Sequence, residues 1–552
     1  MDNFLYEQTL EDDVSVNQMV DKEVLHVLDQ NGGSYNGQIT FDCSPLANSG
    51  KWLSYREGYL QVPFVMTYKS DADSTAANVV NGFYAGLKNG SHHIIDSIQV
   101  DYNNTNVVQL QPFTNFYVSY KLMTSFSEDD VKKHGPTIGF NPDSAESYSF
   151  SAGAARNGDG YANNAVNKDL AIAYRNSLGN CNEGYLDRLR NTAYPLTTRD
   201  TGINSLPQIA TTALANQIGM NYVQDNAGAG AARVWQWNIL ATIRLKDVSD
   251  FFDKMPLVRG ATLRLIVNYN SFTNTITSAS AANPTLVLAA NGVVANSGRT
   301  NPMMVSSAAA SNPLVTILDG ANTFSCGVAT CANKFASASL PSCRLYVPAY
   351  ELNPAYESQL LQLRKTSEIV YTDIYNYNIS NVSAGASFNQ ILTNGIVNPK
   401  MLVVMPYANT SAGVYANVTT PVWQSPFDSA PATTSPLCAL TQFNVQVSGR
   451  NLFQQNFQYD FEAFINEMQS ANAINGGADT GLTCGLLGQK EWSLAYRYYV
   501  ADLSRRLPAD DNIPKSITIQ GTNNSGVALD LVCFIAFERR IRLDMSTGAI
   551  IS

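Results

Sequence analysis

Four histidines, His26, His92, His93 and His134, are the chain's whole supply of imidazole, so everything after residue 134 lacks one for general-base or metal-ligand work. His92 and His93 are adjacent and, on a strand, would point to opposite faces. Eight cysteines are spread over 552 residues, and the one close set, Cys326, Cys331 and Cys343, has no histidine beside it. CGVATC could form a short cross-link, zinc is not expected without histidines nearby, and reduced, buried thiols are the default reading. The sequence contains no Gly-x-Ser-x-Gly elbow, no phosphate loop and no His-Glu-x-x-His. AGAGAAR, ending at Arg233, precedes a strand instead of joining strand to helix and reads as a loop. Carboxylates are the remaining route, because a glycosidase needs only two of them about 5 to 9.5 Å apart. Asp460 and Glu462 in YDFEAF would share a face if that stretch were a strand, but with 45 acidic residues such pairs arise by chance. No catalytic, cofactor-binding or metal-binding residue is assigned, and no cofactor is expected.

Charged residues make up 14% of the chain, against about 25% in an average soluble protein. Such a composition suits a protein that hides much of its surface in contacts with other chains; an Asn- and Ser-rich surface would give the same figure. The formal charge is −10, with 35 basic and 45 acidic side chains and no basic cluster. Direct grip on a phosphate backbone needs such a cluster, so no sequence-specific nucleic-acid binding is expected. No run of about eighteen apolar residues occurs, and MDNFLYEQTLEDD is not a basic-then-apolar leader, so neither a transmembrane segment nor a secretory signal is expected. The length exceeds what one core fills, which predicts two or more domains.

Val16, Val20, Val24, Val27 and Leu28 form a stripe that suits one face of a helix, with Asp12 or Asp13 as cap and Gly32 and Gly33 as stop. This predicts an N-terminal helical arm over 1–33, laid on a partner or on the chain's own body. Strand signals dominate after it. The clearest is VWQWNILATIRLK, where Trp235, Trp237, Ile239, Ala241, Ile243 and Leu245 alternate mostly with polar residues. HHIIDSIQVDY, FTNFYVSYKLM, ATLRLIVNY, EIVYTDIYNY, PKMLVVMPY, LTQFNVQV, AYRYYVADL, KSITIQGT and ALDLVCFIAFE also read as strands. Short strands without alternating long helices predict antiparallel β-sandwiches or barrels. Long stretches of small and polar residues at 144–232 and 273–335 predict projecting loops, with a short helix around 185–194.

Two motifs recur. YLQVPFVMTY and RLYVPAYEL share leucine, one residue, valine and proline, which makes Pro63 and Pro348 candidates for equivalent positions. A proline belongs on an edge strand, at a strand's start or at a bulge. VSDFFDKMP and VADLSRRLP also match, with Asp250 and Asp502 each six residues before a proline and a strand following each copy. A tandem duplication of one sandwich, with its boundary within about 275–338, explains both.

The strings NGQITFDCSPLANSGKWLSYREGYLQVPF, SIQVDYNN, FFDKMPLVRGATLRLIVNYN, RLYVPAYELNPAYESQLL, KTSEIVYTDIYNY, NPKMLVVMPY and RYYVADLSRRLP through SGVALDLVCFIAFERRIRLD, taken in order, resemble the major capsid proteins of Polinton-like viruses, virophages and adinto-like viruses. The likeness runs from about 35 to 545 and is weak in the two long loop regions. It implies an all-β double jelly-roll of two tandem eight-stranded sandwiches with long loops and a short N-terminal helical arm. The implied domains are the arm at 1–33, a first jelly-roll at 34–275, a linker at 276–338 and a second jelly-roll at 339–552. The resemblance further implies a non-enzymatic homotrimer, a pseudo-hexameric capsomer of an icosahedral double-stranded DNA virus shell. Its partners would be neighbouring capsomers, a penton protein and minor capsid proteins, in a virion assembled inside the infected host cell. Val16, Val20, Val24 and Leu28 of the arm are then candidates for assembly contacts. Two other readings stand beside this one: a carbohydrate-active or carbohydrate-binding β-sandwich, as enzyme or adhesin, and a minor capsid component of the same fold.

Leu265 and Ile517 are the inward candidates of the strands that follow the two Asp-to-Pro turns. Leu265→Asp or Ile517→Asp should prevent formation of soluble trimer, because a buried unpaired carboxylate costs several kcal/mol, comparable to a domain's whole stability. Trimer yields measured by light scattering that match the unaltered protein for both variants would show the strand faces to be reversed.

Overall fold

Leu263, Leu265, Val267 and Tyr269 are buried while Arg264 between them is exposed, the period of two that a half-buried strand requires. Lys515–Asn523 repeats the pattern, with Ile517 and Ile519 fully buried. The computed structural model describes residues 18–31, 38–70, 83–142, 220–224, 233–270, 342–409, 438–454, 458–470, 485–494, 496–504, 513–526 and 528–551, with Trp423 and short pieces between 273 and 331. Most of the two long loop regions, including the helix expected around 185–194, lies outside the described residues.

Eight principal strands come first: β1 (Met19–Leu28), β2 (Gln38–Asp42), β3 (Tyr59–Ser70), β4 (Ile95–Tyr102), β5 (Thr105–Val108), β6 (Arg233–Arg244), β7 (Leu263–Tyr269) and β8 (Arg344–Leu352). Eight more follow: β9 (Thr366–Val382), β10 (Ser387–Ile396), β11 (Pro399–Ala408), β12 (Leu440–Val447), β13 (Arg450–Asn451), β14 (Tyr499–Asp502), β15 (Lys515–Asn523) and β16 (Leu529–Asp544). The first set pairs as β1-β8-β3-β6 and β2-β7-β4-β5, the second as β9-β16-β11-β14 and β10-β15-β12-β13. Raising each label of the first set by eight produces the second set. All these neighbours are antiparallel. Eight strands in two interlocked antiparallel sheets, repeated in order, are two jelly-roll sandwiches.

This topology moves the expected boundary. β8 closes the first sandwich, since it pairs with β1 along Met19–Leu28 and with β3 at Tyr59, Leu60 and Gln61. The second sandwich therefore begins at β9, not at 339, and the 276–338 span precedes the last strand of the first sandwich instead of linking two domains. Pro63 and Pro348 are accordingly not equivalent: they stand on neighbouring strands of one sheet, where Leu60 is paired with Leu345. What they share is a local need. The edge of β3 passes at Pro63 from its partner β8, which ends opposite Gln61, to Leu314–Asp319, which starts opposite Phe64. The edge of β8 passes at Pro348 from β3 to Trp52–Leu53, and the Pro348 carbonyl accepts the Ser54 N–H at 2.9 Å on that edge. A residue without an N–H thus sits at each break in a ladder.

The N-terminal arm is corrected as well. Residues 19–28 are strand β1, not helix. Apolar residues four apart share a face on a strand as they do on a helix, so Val20, Val24 and Leu28 did not distinguish the two; Val27, on the opposite face and 8% exposed, does. Residues 1–17, with Val16, and Gly32 and Gly33 lie outside the described residues. FTNFYVSYKLM, expected as a strand, is helix α1 (Thr114–Ser125), in which residues of both polar and apolar type are buried. The Asp-to-Pro repeat does not place its aspartates alike: Asp250 begins a helix and Asp502 ends a strand. VSDFFDKMP, between β6 and β7, contains helix α2 (Asp250–Lys254), whereas in VADLSRRLP Val500, Ala501 and Asp502 are the end of β14 and residues 505–508 lie outside the described residues. Helix α3 (Pro354–Leu363), N-capped by Asn353, separates the sandwiches, and helix α4 (Phe461–Ser470) precedes β14 as α1 precedes β6.

One continuous hydrophobic cluster runs through both sandwiches. Helix α1 joins them: the Phe116 ring lies 5.0 Å from Tyr407, Tyr117 5.5 Å from Phe534 and Tyr120 5.2 Å from Tyr498, edge to face. The Tyr120 hydroxyl donates to Met468 Sδ at 3.0 Å. Tyr120→Ala should lower stability by roughly 3 to 5 kcal/mol, the cost of emptying a buried aromatic site. Because the ring is shared, calorimetry should show one unfolding transition moved to lower temperature; a shift confined to one of two transitions would show that the sandwiches do not depend on α1 together.

Candidate assembly interface

Strand β1 is the outer strand of its sheet, and among the described residues it pairs only with β8. Val24 and Leu28 point away from the core with Lys22 and His26, while Leu25 and Val27 turn toward Val347 and Leu345. Val20 sits in a bulge at the strand's start. Val20 is 61%, Val24 51% and Leu28 50% exposed, so three of the four predicted assembly residues lie on the surface, and the fourth, Val16, is outside the described residues. Polar groups frame them. Lys22 Nζ is 3.0 Å from Glu57 Oε2, and the Tyr350 hydroxyl donates to Glu57 Oε1 at 2.8 Å. Partial burial pushes the Glu57 carboxyl up, but the hydrogen bonds from Lys22 and Tyr350 outweigh it and hold the group below the usual carboxylate range. His26, Tyr346 and Tyr59 continue the same face as a ring ladder with centroids 5.8 and 5.1 Å apart. An unpaired edge with apolar side chains is a surface that natural sheets cover.

The seam between the sandwiches carries a buried ion pair. Arg539 Nη1 donates to Asp373 Oδ2 at 3.0 Å and to the Val107 carbonyl at 2.9 Å, and Nη2 donates to the Asn106 carbonyl at 2.9 Å. The Tyr371 hydroxyl donates to the same Val107 carbonyl at 2.6 Å. Asp373 is 3% exposed. Burial pushes its carboxyl above the ordinary value, and Arg539 opposes that shift without cancelling it. Beside this network lies a cavity of about 510 Å³ lined by Asp250, Asp373, Lys121, Lys246 and Lys400 among others. Its five carboxylates hold structure: Asp250 accepts the Thr372 N–H at 2.9 Å, Asp373 takes Arg539, Asp130 caps a helix through Ser127, and Asp247 and Asp253 pair with Arg244 and Lys254.

The remaining candidates for chemistry are also occupied. His92 and His93 lie in a buried 3₁₀ turn, Ser91–Ile94, not on a strand, and both meet the Ser119 hydroxyl of α1, at 2.8 and 3.3 Å. Asp460 accepts the Ala463 N–H at 3.0 Å at the head of α4, so YDFEAF starts a helix and Asp460 and Glu462 do not share a strand face. Cys43, Cys343, Cys438 and Cys533 are buried and none of the four is in a disulfide. Among the described residues no group of three His, Cys, Asp or Glu is placed to hold a metal ion, and no helix is long and apolar enough to cross a membrane. The seam itself was missed from sequence. Asp373 and Arg539 stand in strands that already carry many polar residues, so nothing in the sequence marked them out.

No protein-family model matches the chain, and no curated protein sequence matches it significantly. Comparison with solved structures finds the Sputnik virophage structure from electron cryo-microscopy, at 12% identity and a TM-score of 0.49, covering 98% of this chain and 89% of that one. The mavirus major capsid protein is similar at 11% identity and a TM-score of 0.45, covering 99% and 94% of the two chains. A PBCV-1 virus capsid chain is similar at 10% identity and 0.41, covering 96% of each.

Removing Arg539 should leave Asp373 buried without its cation, at a cost of about 3 to 5 kcal/mol for Arg539→Ala. The sign with pH follows from the raised carboxyl. The folded state holds the Asp373 proton more tightly than the unfolded chain, so this group's contribution falls as pH rises from the unfolded carboxylate value through the folded one. The Arg539→Ala deficit, measured by urea denaturation, should therefore be largest at neutral pH and shrink toward acid; a deficit unchanged with pH would show that Asp373 is not the group left uncompensated.

Proposed function

We propose that this chain is the major capsid protein of an icosahedral double-stranded DNA virus shell, acting as a structural protein and not as an enzyme. The observation that carries the reading is the repeated strand order, two complete jelly-rolls in one chain sharing one core. A duplicated sandwich lets a three-fold oligomer occupy a six-fold lattice site, while the two halves diverge to meet unlike neighbours. The sequence resemblance to Polinton-like and virophage capsid proteins points the same way. In this reading three chains form a pseudo-hexameric capsomer, which meets other capsomers, a penton protein and minor capsid proteins. The low charge content suits a chain that spends its surface on such contacts. The exposed face of β1, with Val20, Val24 and Leu28, is the part assigned to contact with a second copy.

Light scattering of the purified protein should report three times the 60.0 kDa chain mass, with a hexagonal outline in negative stain. The double variant Val24→Glu and Leu28→Glu should release monomer with an unchanged circular dichroism spectrum, because both side chains are exposed in the single chain. A 60.0 kDa particle from the unaltered protein would remove the capsomer reading. Intact trimer from the double variant would move the contact away from β1.

A further inference from the structure

The β10-β15-β12-β13 sheet of the second sandwich carries a hollow of about 530 Å³ that assembly through β1 does not use. Register places Asn389 beside Gln520 and Gln520 beside Asn444 across β10, β15 and β12. A bulge in β12 between Thr441 and Asn444 holds Gln442 in the left-handed region, at φ 52°, and takes it out of the ladder at the hollow. Asn451 and Gln454 close the far side. Opposite Gly521 stands Phe388, and a Cβ at 521 would come within 2.8 Å of the Phe388 ring tip, so the glycine leaves room for the ring.

The lining has an unusual composition. It consists of amides, hydroxyls, phenyl rings and a glycine, with no Lys, Arg, His, Asp or Glu. The seam cavity, by contrast, is lined by lysines and aspartates. Some lining groups serve the fold: Asn444 accepts the Val445 and Phe453 N–H groups, and the Ser387 and Thr522 hydroxyls pair at 2.9 Å. Asn389 and Gln520 do not, since no protein hydrogen bond of either side-chain amide is present among the described residues.

We infer that this hollow is a binding site for a neutral, hydroxyl-rich ligand, namely a neutral oligosaccharide. Each sugar hydroxyl both donates and accepts, and each free amide offers two donors and an acceptor, so amides satisfy a sugar without charge. An ionised ligand would lose water here with no counter-charge to replace it, which selects against it. The volume lies within the roughly 300 to 1,000 Å³ of small-molecule sites. The inference concerns the single chain and does not depend on shell assembly.

The test is calorimetric titration of the purified protein with lactose, maltose, mannobiose and chitobiose, with 3′-sialyllactose as the charged control, at low and high salt. At least one neutral disaccharide should bind, with affinity unchanged by salt. Asn389→Ala and Gln520→Ala should each weaken it about three- to tenfold, as loss of a neutral hydrogen bond does. Both positions are at least partly exposed, so unfolding temperature serves as the control for an intact fold. The inference is overturned if no neutral disaccharide binds, if only the sialylated control binds and salt abolishes it, or if the double variant at Asn389 and Gln520 binds unchanged. It is overturned equally if hydrogen exchange shows β10 protected on trimer formation, which would make the hollow a contact between copies.

Discussion

Helix α1 buries nine of its twelve residues, and both sandwiches pack against it. One face, with Asn115 and Ser119, meets the His92–His93 turn of the first sandwich. The other, with Phe116, Tyr117 and Tyr120, meets β11, β16 and the Tyr498 segment of the second. The approach is close enough to need a glycine. Gly485 has φ 64°, and a Cβ there would fall 2.5 Å from the Thr124 carbonyl carbon at the helix's end. A helix with polar satisfaction on one side and aromatic packing on the other fixes both neighbours at once, because neither face can be hydrated without loss.

The ionic network around Arg539 adds direction to that packing. Stacked rings tolerate sliding, whereas a guanidinium that donates to two successive carbonyls, Asn106 and Val107, and to Asp373 has few alternative positions. A buried pair of this kind contributes little net stability, since desolvation offsets attraction. Its worth lies in register. It ties the end of β5 in one sandwich to β9 and β16 in the other, and only one relative placement satisfies all the donors.

Much of the fold was legible because strands with one buried face write their period into the sequence, as ATLRLIVNY and KSITIQGT do. Two features misled for physical reasons. FTNFYVSYKLM is rich in β-formers, but a helix that buries polar and apolar residues alike shows no clear polar face with a period of 3.6, so propensity spoke for the wrong structure. The Val-Pro match suggested duplication, although both prolines answer the same local problem, a ladder that changes partner, on adjacent strands of one sheet. The true boundary did have a signal, in NPAYESQLL: an asparagine cap with proline at the first helical position marks the start of α3, just after β8 ends. The outward apolar residues of β1 were found with the wrong structure attached, because spacing by four cannot separate helix from strand. The neutral hollow had no linear signature, since its amides come from four strands and a bulge.

The duplication is best judged by what diverged. Helices α1 and α4 occupy the same topological slot, between the fifth and sixth strands of their sandwiches, yet they have unlike surroundings. Helix α4 is amphipathic, burying Ala463, Phe464, Glu467 and Met468, while α1 buries nine of its twelve residues. They meet where Tyr120 donates to Met468, so the more deeply buried copy is the one that reaches the other sandwich. Two identical sandwiches would each keep an exposed helix and a solvated flank, and nothing would hold them side by side. Giving up symmetry at one helix turns two independent domains into one rigid subunit, and it leaves the rest of each sandwich free to differ, as the charged seam and the uncharged hollow of the second sandwich do.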